Sequence, residues 1–120
     1  MQGTHPLDLL IVEDEVMIRM MLLDMIEELG HRVAGQAGRV NEALALIDGG
    51  LAFDAAILDI NLAGQNAAPV AEAIERKSIP FVFASGYGTA GVPEQFKGRP
   101  LLQKPYVIER LSEALRGVRR

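Results

Sequence analysis

The sequence predicts an α/β fold, a doubly wound five-stranded parallel sheet with five helices packed on its two faces. Short apolar runs alternate five times with segments of helical spacing along the chain. The clearest apolar runs are nearly continuous, as expected of strands that are covered on both faces. The chain has 120 residues, of which 49% are hydrophobic, enough for the core of one domain.

Five apolar segments are the predicted strands, the second being the weakest and the fifth the shortest. In chain order they are Leu9–Val12, Arg32–Ala37, Ala55–Leu58, Phe81–Ala84 and Leu101–Leu102. Because right-handed crossovers must connect parallel strands, few topologies are compatible with this order.

Five helices are predicted between and after these strands. Gly30 ends the first and Gly49 the second, and Pro69 lies in the first turn of the third. The fourth is weak because Gly91 and Pro93 interrupt it, whereas the last has a regular apolar face. In order, the predicted helices are Glu15–Leu29, Val40–Ile47, Pro69–Arg76, Thr89–Phe96 and Tyr106–Val118.

Composition excludes several classes of function. A net charge of -4 and 5% aromatic residues argue against nucleic acid as the main partner. The absence of cysteine excludes disulfides and thiolate metal sites. No apolar run approaches the roughly 20 residues of a membrane span, and the first residues do not resemble a signal peptide. We therefore expect a cytoplasmic protein with a single domain over residues 1–120, a core over about 7–119, and no output domain.

Polar residues follow four of the predicted strands. Glu13 and Asp14 follow the first strand, Asp59 the third, Ser85 the fourth and Lys104 the fifth. The carboxyl ends of parallel strands are the edge at which open sheets bind ligands. A carboxylate that ends a buried strand, as Asp59 does, is costly to keep unless it takes part in chemistry. The sequence therefore predicts a functional site at this edge.

The three acids Glu13, Asp14 and Asp59 would converge if their strands are neighbours. Their mutual repulsion would be relieved by a divalent cation. Because this ligand set contains oxygen and no His or Cys, it favours Mg²⁺ or Mn²⁺ over zinc. The backbone carbonyl of Asn61 is a candidate for a further ligand.

Lys104 could place its ammonium group among the acids and hold an incoming phosphoryl oxygen. Pro105 could be preceded by a cis peptide that aims this lysine. Ser85 offers a hydroxyl to a phosphoryl oxygen, and the adjacent Gly86 and Gly88 predict a mobile loop. Beside Mg²⁺ and a lysine, Asp59 would be a suitable nucleophile for phosphoryl transfer.

With these residues in this order, the chain resembles the receiver domain of two-component response regulators over essentially its whole length. The resemblance implies a flavodoxin-like or CheY-like sheet in the order 2-1-3-4-5, phosphorylation of Asp59 by a histidine kinase, and dependence on Mg²⁺. The residues from Phe83 to Gly88 resemble the Phe-Ala-Thr-Gly-x-Gly variety of receiver. That variety lacks the aromatic residue usual in the fifth strand, and here the position is occupied by Leu101.

The missing aromatic residue raises the question of how a switch would work, and Tyr87 and Tyr106 are the candidates to substitute for it. Tyr87 lies two residues after Ser85, a position that in receivers borders the water path to the phosphoryl group. We therefore expect its ring to slow hydrolysis of the phosphoryl group.

The first predicted helix has more apolar residues than one buried face needs. The residues expected on the core face are Ile18, Met21, Leu22, Met25, Ile26 and Leu29. A second apolar stripe consists of Val16, Met17, Met20 and Leu23. An exposed apolar stripe usually marks an interface, and we predict that it docks between helices of a kinase or phosphotransfer protein. The alternative is that the last helix covers part of it.

The function that these residues favour is a single-domain response regulator that acts as a switch, a phosphate relay or a phosphate sink. It would catalyse its own phosphorylation and dephosphorylation and turn over no external metabolite. The sequence does not identify its downstream target. The alternatives are a receiver-like binding module that works without phosphorylation and an aspartyl-phosphate phosphohydrolase. The second is disfavoured by Asn61, which stands where such enzymes carry a second acid.

Overall fold

The fold was analysed in a computed structural model, which describes residues 5–118. Its main sheet has five parallel strands, and strands and helices alternate along most of the chain as predicted. The five strands are β1 (Asp8–Val12), β2 (Arg32–Ala37), β3 (Ala55–Asp59), β6 (Phe81–Ser85) and β7 (Leu101–Gln103). Their spatial order is β2-β1-β3-β6-β7. Counted within this sheet alone, the order is 2-1-3-4-5, so the predicted flavodoxin-like topology is confirmed.

Four α-helices within the described residues cover the two faces of the sheet. They are α1 (Val16–Glu28), α2 (Val40–Asp48), α3 (Ala68–Arg76) and α4 (Ile108–Val118). Alternate residues of the buried strands point to opposite faces. Leu10 and Leu58 belong to the apolar cluster beneath α2 and α3, whereas Ile11 and Ile57 belong to the one beneath α1 and α4. This two-sided core accounts for the continuous apolar runs of the sequence.

The predicted helix at Thr89–Phe96 is wrong, and the count of five helices is corrected to four in the described chain. Only a 3₁₀ turn forms there, at Glu94–Phe96. Gly88 and Gly91 adopt positive φ angles of 64° and 86°, which are incompatible with a right-handed helix. Phe96 is buried instead by edge-to-face packing on Phe81 and Phe83, with ring centroids 5.5 and 5.9 Å away.

A short antiparallel hairpin, which the sequence analysis did not predict, follows β3 directly. Its strands are β4 (Asn61–Leu62) and β5 (Gln65–Asn66). The two residues between them, Ala63 and Gly64, have φ angles of 50° and 86°. Positive φ at both positions is typical of a type I′ turn, which matches the twist of a tight hairpin.

The predicted division of α1 into two apolar faces is wrong at two residues. Met21, expected in the core, is 46% exposed, whereas Leu23, expected in the second stripe, packs against the core. Leu22 and Ile26 mark the centre of the buried face. With about 100° of rotation per residue, Leu23 lies on the flank of that face and Met21 lies beyond its opposite edge.

The boundaries of the elements differ from the predicted ones by at most two residues, and those of β2 are as predicted. Asp59 is the last residue of β3 rather than the first after it, and α4 begins at Ile108 rather than Tyr106. Residue 119, at the end of the predicted core, lies outside the described residues. No helix in residues 5–118 has the length and apolar character needed to cross a membrane.

Candidate functional site

The carboxyl ends of β1, β3, β6 and β7 bring five of the predicted site residues together. Strand pairing sets Val12 beside Leu58, so that the residues that follow, Glu13 and Asp59, are neighbours. The amide of Lys104 donates a 2.8 Å hydrogen bond to the carbonyl of Ser85 and thereby continues the pairing of β6 with β7. Parallel pairing therefore delivers the acids, the hydroxyl and the ammonium group to one edge of the sheet.

Three carboxylates form the acidic part of the site. One oxygen each of Glu13, Asp14 and Asp59 can be chosen so that all three lie within 4.8 Å of one another. The exposed fraction of Glu13 is 0% and that of Asp59 is 5%, whereas Asp14 is half-buried. Burial of two acids side by side requires neighbouring donors or a cation.

Lys104 lies between the two buried acids. Its Nζ donates to Oδ2 of Asp59 at 3.0 Å and to Oε1 of Glu13 at 3.2 Å. Burial disfavours the charged ammonium group, but its bonds with Asp59 and the charge of Glu13 outweigh this, so the pKa of Lys104 is raised. The ammonium therefore remains charged and cross-links the acids.

The pKa of Asp59 is set by effects that act in opposite directions. Its burial and then the negative charge of Glu13 raise the pKa, while Lys104 lowers it. The net result is a pKa of about 7, well above the ordinary value of 3.8. The site thus holds more negative charge than Lys104 alone can balance, which is the condition under which a second cation binds well.

Glu13 has two further donors besides Lys104. The backbone N–H of Glu15 donates to its Oε2 at 3.1 Å, and the hydroxyl of Tyr106 lies 3.4 Å from its Oε1. Burial, followed by the charges of Glu13 and Asp59, raises the pKa of Tyr106, so its hydroxyl stays protonated and donates. The side chain of Glu13 is therefore held from several directions.

The β4–β5 hairpin contacts one of the acids, Asp14. The N–H of Ala63 donates to Oδ2 of Asp14 at 3.0 Å. Farther along the hairpin, Nδ2 of Asn66 donates to the carbonyl of Gly91 at 2.9 Å, which ties the hairpin to the loop after β6. The side chain of Asn61 accepts a hydrogen bond from the N–H of Gly64. Asn61, whose carbonyl was predicted to be a metal ligand, lines the same cleft as Asp59.

Ser85 and Tyr87 also line this cleft. The oxygen of Ser85 accepts a 2.9 Å hydrogen bond from the N–H of Tyr87, and that bond does not use the proton of the hydroxyl. Tyr87 is 84% exposed at the rim. Pro105, which lines the cleft, follows a cis peptide bond, as anticipated. Leu101, at the position of the missing aromatic residue, packs against the apolar cluster beneath α2 and α3.

Two contacts that join an acid of this site to a residue distant in the chain were not predicted from the sequence. One is the hydrogen bond from Ala63 to Asp14, and the other is that from Tyr106 to Glu13. The adjacent Ala63 and Gly64 carried a weak turn signal that could have suggested the hairpin. The contact between Tyr106 and Glu13 joins residues 93 positions apart, and no local pattern indicates it.

An exposed apolar surface on α1 lies beside the cleft. Glu15 and Ile18, next to this surface in the chain, line the cleft itself. We call the apolar surface the α1 patch, and it contains Val16, Met17, Met20 and Met21. Met17 is its most exposed member, at 78%. Three of the four residues belong to the predicted docking stripe, and Met21 takes the place of Leu23.

Comparisons with known proteins agree with this geometry. A family model described as the response regulator receiver domain matches residues 9–116. The transcriptional regulatory protein PdtaR of Mycobacterium tuberculosis (strain CDC 1551 / Oshkosh) is 31% identical over 114 residues. These cover 92% of this chain and 55% of PdtaR, so the chain spans about half the length of that relative.

Solved structures are similar over nearly the whole chain. The solution structure of SdrG from Sphingomonas melonis Fr1 has a TM-score of 0.84 and 43% identity, covering 97% of this chain and 98% of SdrG. The BeF3-activated conformation of SdrG from Pseudomonas melonis Fr1 has a TM-score of 0.77 and 45% identity, covering 91% of this chain and 92% of that one.

Proposed function

We propose that Asp59 accepts a phosphoryl group in two-component signalling, proceeding from the fact that this chain belongs to the response regulator receiver domain family. The observation that carries the proposal is the carboxylate of Asp59, buried at the end of β3 and held by Lys104 at 3.0 Å among two further acids. This arrangement supports a nucleophile whose charge is balanced by fixed neighbours.

The acidic cluster fits Mg²⁺ or Mn²⁺. Its donors are carboxylate oxygens, which these hard cations prefer, and half-buried Asp14 leaves room for the waters that Mg²⁺ retains. We propose that Asp14, Asp59 and the carbonyl of Asn61 bind the ion directly and that Glu13 supports the site through its charge. When bound, the cation neutralises the excess negative charge of the acids and of a phosphoryl group.

The chain's own residues would divide the work of phosphoryl transfer. A carboxylate oxygen of Asp59 forms a bond to phosphorus as the P–N bond of a donor phosphohistidine breaks. Lys104, which is hydrogen-bonded to Asp59, balances the negative charge of the transferred phosphoryl group. The proton of the Ser85 hydroxyl is available to a phosphoryl oxygen, because the bond from Tyr87 engages only the oxygen of that hydroxyl. Positioning and charge neutralisation are the main requirements of this reaction.

Incubation with acetyl phosphate tests the proposal directly. We expect an intact-mass increase of one phosphoryl group that requires Mg²⁺ and is absent from an Asp59→Asn variant. Beryllofluoride binding is the companion assay, since a BeF3-activated conformation of SdrG is known. If the protein binds neither Mg²⁺ nor beryllofluoride, the proposal fails and a binding module independent of phosphorylation becomes the better account.

The affinity for Mg²⁺ should depend on pH in a defined direction. The pKa of Asp59 is raised to about 7, so below that pH the metal must displace a proton. Because the pKa of Asp59 is raised on folding, the protonated carboxyl stabilises the folded metal-free protein. This stabilisation is complete below the ordinary pKa of 3.8 and is lost as the pH rises through about 7. We therefore expect affinity to rise several-fold between about pH 6 and about pH 8 and then to level off.

Titration calorimetry in buffers of different ionisation enthalpy measures both the affinity and the released proton. The Asp59→Asn variant is the control, since it lacks the titrating group and should show a weaker dependence. An affinity that is constant across this pH range in the native protein would contradict the prediction.

We further propose that the phosphoryl donor is a histidine kinase or a phosphotransfer protein. The α1 patch supports this, because it is apolar, rich in adaptable methionine and adjacent to the cleft that holds Asp59. A helix face of this kind suits docking against the helices of another protein. The chain would then act as a switch, a relay or a phosphate sink within the signalling pathway.

A further inference from the structure

Tyr106 has a buried polar group to which the proposed reaction assigns no part. Its exposed fraction is 6%, and its ring packs among the residues beneath α1 and α4, including Leu111 and Leu115. A ring placed there for packing alone would need no hydroxyl. Buried tyrosine hydroxyls usually have a hydrogen-bond partner, and the one observed here is Oε1 of Glu13.

Glu13 is a residue for which such a partner matters. Its carboxylate is completely buried, and a buried charge must be surrounded by donors. Lys104 and Tyr106 both contact Oε1, and Lys104 and the N–H of Glu15 contact Oε2. Of these donors, Lys104 is shared with Asp59. Tyr106 is therefore a donor to Oε1 for which Asp59 does not compete.

The same short segment holds Glu13 from two sides. Lys104 and Tyr106 are two residues apart in the chain and both reach the same carboxylate oxygen, one as an ammonium group and one as a hydroxyl. If the hydroxyl is removed, Oε1 retains only Lys104 among the donors described. Glu13 would then hold Lys104 more strongly, and the bond from Lys104 to Asp59 would weaken.

We propose that Tyr106 is a positioning residue whose hydroxyl holds Glu13 so that Lys104 stays aligned on Asp59 for phosphoryl transfer. This inference rests on the proposed function of Asp59. This role differs from that of a switch residue whose aromatic ring moves at the surface. The ring of Tyr106 is buried, and its hydroxyl is hydrogen-bonded inside the site. The 3.4 Å separation is long for an O–H···O contact, so the expected effect is moderate.

The first test is a Tyr106→Phe variant, which keeps the ring and removes the hydroxyl. At saturating Mg²⁺ and acetyl phosphate we expect the rate of phosphorylation to fall about threefold to tenfold, the range that corresponds to the loss of one ordinary hydrogen bond. Ser112→Ala is the control, because it removes a hydroxyl from α4 that contacts Arg116 and lies outside the site. Its rate should equal that of the native protein.

The second test asks whether the hydroxyl acts through Glu13. Urea unfolding of the metal-free protein is measured for the native chain, Tyr106→Phe, Glu13→Ala and the double variant. We expect Tyr106→Phe to lower the unfolding midpoint in the native background and to leave it nearly unchanged in the Glu13→Ala background. A role in packing alone would give the same shift in both backgrounds.

The outcomes separate this inference from the proposed function. A slower rate together with coupling to Glu13 supports it. An unchanged phosphorylation rate in Tyr106→Phe overturns it, and so does an equal shift of the unfolding midpoint in both backgrounds. If the native protein accepts no phosphoryl group at all, the proposed function fails first, and any coupling in urea then reports a structural contact without a role in phosphoryl transfer.

Discussion

Replacement of Lys104 by methionine is expected to slow the phosphorylation of Asp59 by acetyl phosphate roughly 100-fold or more, the usual cost of losing a preorganised charge at a reacting centre. Two effects act in the same direction. The ammonium that would balance charge on the phosphoryl group is lost. The pKa of Asp59, which Lys104 lowers, would also rise further, so that less of the nucleophilic carboxylate is present at neutral pH.

The measurement is the rate of appearance of the phosphoryl adduct by intact mass. Lys97→Met is a matched control, because Lys97 also pairs with a carboxylate, that of Glu94 at 3.6 Å, but its side chain is 61% exposed. Its removal should leave the rate unchanged, since exposed ion pairs contribute little. A Lys104→Met variant that is folded, as judged by circular dichroism, and phosphorylated at the native rate would refute the role of this lysine.

The second large effect is expected at the α1 patch. A Met20→Lys variant should lose phosphotransfer from a histidine kinase by about 30-fold or more, because a charge placed in the centre of an apolar interface must be desolvated on docking. Phosphorylation by acetyl phosphate should be unaffected, since Met20 is 59% exposed and is not among the described residues that line the cleft. The difference between the two donors is therefore the diagnostic result.

Ala52→Lys provides the control for the added charge. Ala52 is exposed and precedes β3, and so lies at the opposite edge of the sheet from Asp59. The Ala52→Lys variant should be phosphorylated at the native rate by both the kinase and acetyl phosphate. If Met20→Lys retains normal transfer from the kinase, the α1 patch is not the docking surface. If it loses both kinds of phosphorylation, the substitution has disturbed the site itself.

Sequence patterns were reliable for the centre of the sheet because β1, β3 and β6 are buried on both faces. Leu9–Val12 and Ala55–Leu58 are continuous apolar runs, and short runs of this kind are typical of strands in the centre of a parallel sheet. The functional candidates followed from the same pattern. Once the strands are parallel, residues that come directly after them must meet at one edge, as Glu13, Asp59 and Lys104 do.

Patterns were less reliable where a residue had two plausible environments. In α1 nine of the thirteen positions are apolar, more than one buried face needs, so the spacing alone could not establish which residues face the core. The packing of Leu22 and Ile26 against the sheet decided the rotation of the helix, and with it the exposure of Met21 and the burial of Leu23. The structure thus defines which residues form the α1 patch, which the sequence alone did not.

Local features of the sequence were sufficient to predict the fold class, the order of the strands and the candidate site residues, because burial and strand ends leave a local signature. Contacts between distant residues account for the packing of Phe96 on Phe81, where a fourth helix was predicted, and for the hydrogen bond between Tyr106 and Glu13. Those features depend on residues distant in the chain, and the free energy of such contacts is absent from any local segment. The hydrogen bonds that hold Glu13 and Asp14 beside Asp59 therefore could not be predicted from local sequence.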